Sequence, residues 1–111
     1  MGVRVTAWSE AVAPTEASLR QLMQVEGLQP HEWGNRPGDR YAAHSHGYDK
    51  VIHVVSGSIW FGLPAECRTI ELKAGDRLDL PRGIVHNATV GGEGVKCLEA
   101  HEKRRPGWGE R

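Results

Sequence analysis

From Leu28 onward the chain is a succession of short runs in which apolar and polar residues alternate, each closed by Gly, Pro, Asp or Ser. The runs fall at 28–34, 39–45, 50–56, 58–63, 68–73, 76–80, 84–90 and 94–101. Gly38-Asp39, Ser56-Gly57, Ala74-Gly75-Asp76, Arg82-Gly83 and Gly91-Gly92 supply the turns between them. A period of two, repeated over many short segments, excludes a helical architecture for this part of the chain. Each such strand has one apolar face to cover, and the economical solution is a two-sheet sandwich or a closed barrel. With 111 residues there is room for one domain of this kind.

The region before Leu28 reads differently. Residues 3–8, VRVTAW, alternate and form a first strand. In PTEASLRQLMQVEG, Thr15 suits an N-cap, Glu16 the positive end of the helix dipole and Gly27 the C-terminal stop. Leu19, Leu22 and Met23 recur on one face, so a single short helix is expected over 15–26. The chain thus divides into an N-terminal strand, helix and strand at 1–36, a barrel core at 37–101, and a charged, Pro/Gly-broken tail at 102–111. Trp108 is placed there to pin the tail to the body or to a partner chain. Residues 51–55, VIHVV, are apolar on both faces, so their outer face also needs a cover. The helix is one cover; a second subunit is the other, and a homodimer is expected on that ground.

Composition narrows the partners. Fourteen Lys+Arg balance 14 Asp+Glu, a net charge of zero that argues against nucleic-acid binding. No apolar run reaches the roughly 18–20 residues of a membrane-spanning helix. The opening MGVRVTAWSEAV lacks the pattern of a secretory signal and is read as structural, which makes a cytoplasmic location the expectation. Cys67 and Cys97 belong to no CxxC pair and are expected to be buried, reduced side chains.

The six histidines carry more information through their positions. His44 and His46 lie two apart on an expected strand, which points both imidazoles to one face and allows them to chelate one cation. The segment 38–57 places Gly38, His44, His46 and Gly57 at the spacing G-x5-H-x-H-x3-E-x6-G. The segment 75–90 places Gly75, Pro81, Gly83 and His86 at the spacing G-x5-P-x-G-x2-H-x3-N. On these eight positions the chain resembles the cupin superfamily, and residues 1–36 resemble, more loosely, the N-terminal extension of small stand-alone bacterial cupins. The resemblance implies an all-β double-stranded β-helix, or jelly-roll barrel, with one short N-terminal α-helix. It also implies that His44, His46 and His86 converge on one divalent transition metal (Fe, Ni, Mn or Zn). Independently of the family, Gly57, Gly75 and Gly83 sit where tight turns require positive φ, and Pro81 fixes the approach to His86.

Two positions depart from the pattern. Lys50 stands where the family has its glutamate ligand, and Val90 replaces the terminal Asn, with Asn87 nearby on the wrong parity. A protonated ammonium has no lone pair to offer a metal and repels one. Three readings follow: a metal held by three histidines and water; Lys50 turned to the barrel mouth to bind an anion or pair with Asp49; or a weak or empty metal site that leaves a ligand pocket. His53 faces opposite to Lys50 by parity and is assigned to packing or an interface. His31 and His101 match no motif position and are read as ordinary strand residues. Trp33, Trp60 and Phe61 are core or pocket aromatics, and Tyr41, Arg77 and Asp79 are within reach of the cavity.

Fold alone names no reaction. One reading is a metal-dependent oxygenase or isomerase acting on a small polar molecule, with His44, His46 and His86 as ligands and Lys50 as anion anchor or catalytic acid/base. The other is a non-catalytic module that captures a metal or small molecule in the same barrel.

Overall fold

The helix forms where its capping chemistry places it. A computed structural model describes residues 2–102 and contains helix α1 at Glu16–Val25. The Thr15 hydroxyl accepts from the Ser18 amide while the Ser18 hydroxyl accepts from the Thr15 amide, which satisfies two of the free N–H groups at the helix start. Leu19 and Met23 are fully buried, whereas Leu22 is half-exposed at the edge of the apolar stripe.

Among the described residues seven strands accompany it: β1 (Arg4–Thr6), β2 (His31–Asn35), β3 (Arg40–His44), β4 (Asp49–Leu63), β5 (Arg68–Lys73), β6 (Arg77–Leu80) and β7 (His86–Glu102). All pairings are antiparallel. β4 and β7 form the spine. The first part of β4 pairs with β6 through Lys50–His53, and its last part pairs with β5 through Ser58–Leu63. β7 pairs first with β3 and later with β2. Two bent strands therefore run through both layers, one ordered β1-β6-β4-β7-β2 and the other built by β5 on β4 and β3 on β7. The all-β jelly-roll barrel with one helix is the fold. β1 and β2, from the 1–36 region, are strands of this sheet.

Ser56-Gly57 and Gly91-Gly92 are not turns between strands. Both lie inside β4 and β7, which continue through them. Gly57 has φ 80° and Gly94 φ 79°, and the β4–β7 register shifts on either side of Gly57. These are bulges at a barrel corner, where a strand crosses from one layer to the other. Turn and bulge demand the same backbone freedom, so the glycine signal is shared by both.

The barrel interior is filled from both layers by Ile52, Val54, Ile59, Phe61, Leu63, Ile70, Leu72, Leu78, Leu80, Val90, Val95 and Cys97. A second cluster lies outside the barrel, where Leu19, Met23 and Leu28 cover Val51, Leu98 and Ala100. The helix is thus the cover for the outer face of VIHVV, and that face does not call for a second subunit. His53, on the outer side, is buried with its Nδ1 3.3 Å from the Gly75 carbonyl. Cys97 is buried as expected; Cys67 is exposed, because it caps the 3-10 turn Pro64–Glu66 in the left-handed region at φ 48°. Among the described residues no helix is long and apolar enough to cross a membrane. The tail from 103, with Trp108, lies outside the described residues, while Glu102 ends β7.

A Cβ at Gly57 would run into the Gly94 carbonyl, a backbone obstacle that cannot swing aside. Gly57→Ala is expected to destabilise the protein by more than about 1 kcal/mol, adding a positive-φ cost to the clash. Leu19→Ala should cost about 2–5 kcal/mol by opening a cavity under the helix. Urea unfolding midpoints check both, and a Gly57→Ala protein as stable as the parent would contradict the corner assignment.

Candidate metal centre

Two loops bring the three histidines together. The first follows β3: the strand ends at His44, and His46 lies in the loop before β4. The pair therefore does not converge by strand parity, as the His-x-His spacing leads one to expect, but by the fold of that loop. A register shift between Tyr41 and His44 changes the parity of β3, so both residues face the cavity. The second loop connects β6 to β7 and delivers His86 as the first residue of β7. Gly83 turns it at φ 80° and donates its N–H to the His46 carbonyl at 2.9 Å. The Asp49 carboxylate accepts the Arg82 amide at 2.8 Å and lies 3.8 Å from the Arg82 guanidinium. These contacts tie the two histidine-bearing loops to each other.

One ring nitrogen from each of His44, His46 and His86 falls within 4.8 Å of the others. Ring centroids are separated by 4.7 Å (His44–His46), 4.5 Å (His44–His86) and 5.2 Å (His46–His86). His44 Nδ1 lies 2.7 Å from the Ala42 carbonyl and His86 Nδ1 2.9 Å from the Ile84 carbonyl. Each Nδ1 must therefore carry the proton, which leaves the Nε2 lone pair for a metal, as outer-shell partners do in histidine-ligated centres. His46 has Nδ1 3.1 Å from the Tyr48 hydroxyl and Nε2 3.4 Å from Lys50 Nζ. Burial, aided by the Lys50 charge, pushes His46 and His86 below the ordinary imidazole range, toward the neutral form a ligand needs. Imidazole donors of this kind suit a borderline divalent cation, which would take the Nε2 lone pairs of His44 and His86 directly and that of His46 in place of its contact with Lys50.

Lys50 is buried and points into the barrel, not to the mouth. Its Nζ lies 3.6 Å from Glu99 Oε1, which also accepts the Trp33 indole N–H at 3.0 Å. At an effective dielectric near 20 that separation is worth about 4–5 kcal/mol of attraction, set against the desolvation of both ions. A carboxylate thus stands in the site after all, on β7. Sequence reasoning missed Glu99 because both parities of 94–101 mix apolar and polar residues, and only the helix over Leu98 and Ala100 marks the Cys97–Glu99 side as inward.

The histidines, Tyr48, Lys50 and Glu99 line one side of a cavity of about 410 Å³, whose other walls include Trp33, Tyr41, Ile52, Ile59, Phe61 and Ala88. Trp60 instead faces outward and is partly exposed. Arg77 and Asp79 pair with each other at 3.0 Å and border a different, outer cavity. Asn87 packs its amide against Gly62.

No protein-family model matches the chain, and no curated protein sequence matches it. Solved structures do resemble it. A cupin-2 domain protein from Shewanella frigidimarina is 21% identical over 68% of this chain and 71% of its own, with a TM-score of 0.57. A double-stranded β-helix domain protein from Klebsiella pneumoniae is 28% identical over 65% and 64%, with a TM-score of 0.55. The polyketide cyclase RemF from Streptomyces resistomycificus is 28% identical over 71% of this chain but 57% of the cyclase, with a TM-score of 0.60.

His46 and His86, with His53 depressed by burial alike, bind protons less readily when folded than their ordinary value of 6.5. The unfolded chain therefore holds more protons through this range, and stability rises with pH there. The metal-free protein should be fully stabilised above about pH 6.5 and lose stability as pH falls through the imidazole range. Thermal melts from about pH 7.5 to 5 check this, with His53→Gln giving a shallower dependence. A melting temperature flat across that window contradicts it.

Proposed function

We propose that this chain, a small cupin by its fold, is a metal-dependent enzyme that moves protons on a small oxygenated molecule, in an isomerisation or cyclisation. The observation that carries the reading is the convergence of three imidazoles, two with their proton fixed on Nδ1, on one side of a cavity walled by aromatic and aliphatic side chains. His44, His46 and His86 would hold the metal. A divalent ion bound there supplies Lewis-acid polarisation of a substrate oxygen.

The remaining chemistry belongs to the chain's own groups. Lys50 and Glu99 provide a proton donor and a proton acceptor side by side on the cavity wall, the pairing that general acid–base transfer requires. The Trp33 indole holds the Glu99 carboxylate in place. Tyr48 stacks on His46 at 4.9 Å between ring centroids and fixes that ring. Trp33, Tyr41 and Phe61 offer flat apolar surface, which suits a planar substrate with a polar end and displaces water from it. The likeness to a polyketide cyclase supports the same substrate class. This narrows the expectation of a small polar molecule to one that is polar at one end only.

Protein purified without a metal-affinity tag is expected to carry Fe, Ni, Mn or Zn, of which His86→Ala removes about one equivalent. The loaded protein should catalyse solvent deuterium exchange into an enolisable aryl ketone, followed by NMR. Lys50→Met and Glu99→Gln should slow exchange by about 10²–10⁴-fold while retaining the metal. Tight ketone binding without exchange would replace the enzyme with a binding module in the same barrel. Protein that folds yet takes up no metal would remove the metal-dependent reading itself.

A further inference from the structure

Glu99 faces two ways. Its Oε1 is engaged by Lys50 and Trp33 inside the cavity, whereas its Oε2 lies 3.4 Å from Nε2 of His101. His31 sits opposite Glu99 in the β2–β7 register, one cross-strand step from His101. One ligand atom from each of His31, Glu99 and His101 falls within 4.8 Å of the others. The two rings approach edge to face at 5.8 Å between centroids, and Tyr48 stacks on His101 at 3.8 Å. Both histidines are exposed and the carboxylate is mostly buried, so this cluster lies at the rim of the cavity.

We propose that His31, Glu99 and His101 form a second divalent-cation site, distinct from the three-histidine centre. Two imidazoles and one carboxylate suit Zn²⁺, Ni²⁺ or Cu²⁺ over Ca²⁺ or Mg²⁺, which prefer an all-oxygen shell. In a tetrahedral shell with bonds near 2.0–2.2 Å, ligand atoms sit about 3.4 Å apart. The exposed His31 ring can close the remaining gap by a small rotation, while His101, stacked on Tyr48, already lies 3.4 Å from Glu99 Oε2. Glu99 needs no such movement, since Trp33 and Lys50 already fix its plane. An ion at this site would use the outward oxygen and leave the inward one to Lys50. The site does not rest on the three-histidine reading, with which it shares no ligand.

The test is a Zn²⁺ titration of chelator-stripped protein by calorimetry, with circular dichroism to confirm folding. The parent is expected to give a two-site isotherm. His31→Ala and His101→Ala should each weaken one site by at least about tenfold and leave the other intact. His86→Ala should do the reverse, so that His31→Ala combined with His86→Ala binds at neither. His31→Gln carries the same test if the loss of the stacked His101 ring perturbs folding. His31→Ala and His101→Ala isotherms that match the parent overturn the proposal. A His86→Ala isotherm matching the parent, with binding lost in His31→Ala, overturns the three-histidine centre and leaves this site standing.

Discussion

The pairing of β4 with β7 is the contact on which the molecule depends. It runs from Asp49 opposite Glu102 to Gly62 opposite Asn87, interrupted by shifts beside Gly57. Because both strands bend there, one continuous ladder serves two layers, and each strand takes different neighbours in each half. The bend also sets the site. His86 enters from the half of β7 that pairs with β3, while Glu99 belongs to the half that pairs with β2. A straight β7 would hold these two residues far apart along its length; folded over, it places both on the wall of one cavity.

Electrostatics inside that cavity follow from the exchange of one charge. A lysine at a position where a carboxylate would bind metal leaves a buried cation, and an isolated buried cation is costly. Glu99 supplies the opposite charge from across the β4–β7 ladder, where it lies opposite Ile52. The pair is neutral as a unit, so the imidazoles are not left facing an unscreened ammonium. Lys50 still contributes to keeping His46 and His86 in the neutral form, second in importance to burial itself for His46.

What could be read from the residues alone divides by the range of the interaction. The helix was legible because its signals are local: Thr15 caps it, and Leu19 and Met23 recur at helical spacing. The convergence of His44, His46 and His86 was legible only through the resemblance of the two motifs to cupins, whereas the positive φ of Gly57, Gly75 and Gly83 followed from the residues themselves. The continuity of β4 through Gly57 was not, because a bulge and a turn ask the same of the backbone. Nor was the inward face of β7. Val95 and Cys97 are as apolar as Leu98 and Ala100, and only the distant helix decides which pair is covered from outside. The partner of Lys50 was hidden for the same reason, and so was the proximity of His31 to His101, both of which do lie on strands.

The hydrogen bond from Gly83 to the His46 carbonyl, with Asp49 holding Arg82 beside it, joins segments that are remote along the chain. Local encounters cannot create such a junction, because it requires closure of the long loop between them. A partly folded molecule would present its imidazoles one or two at a time and hold cations weakly. An ion held by all three imidazoles would need the completed barrel, and by mass action it would deepen the native well relative to every incomplete state. For such an ion, occupancy of the centre and integrity of the fold would be two measures of one equilibrium.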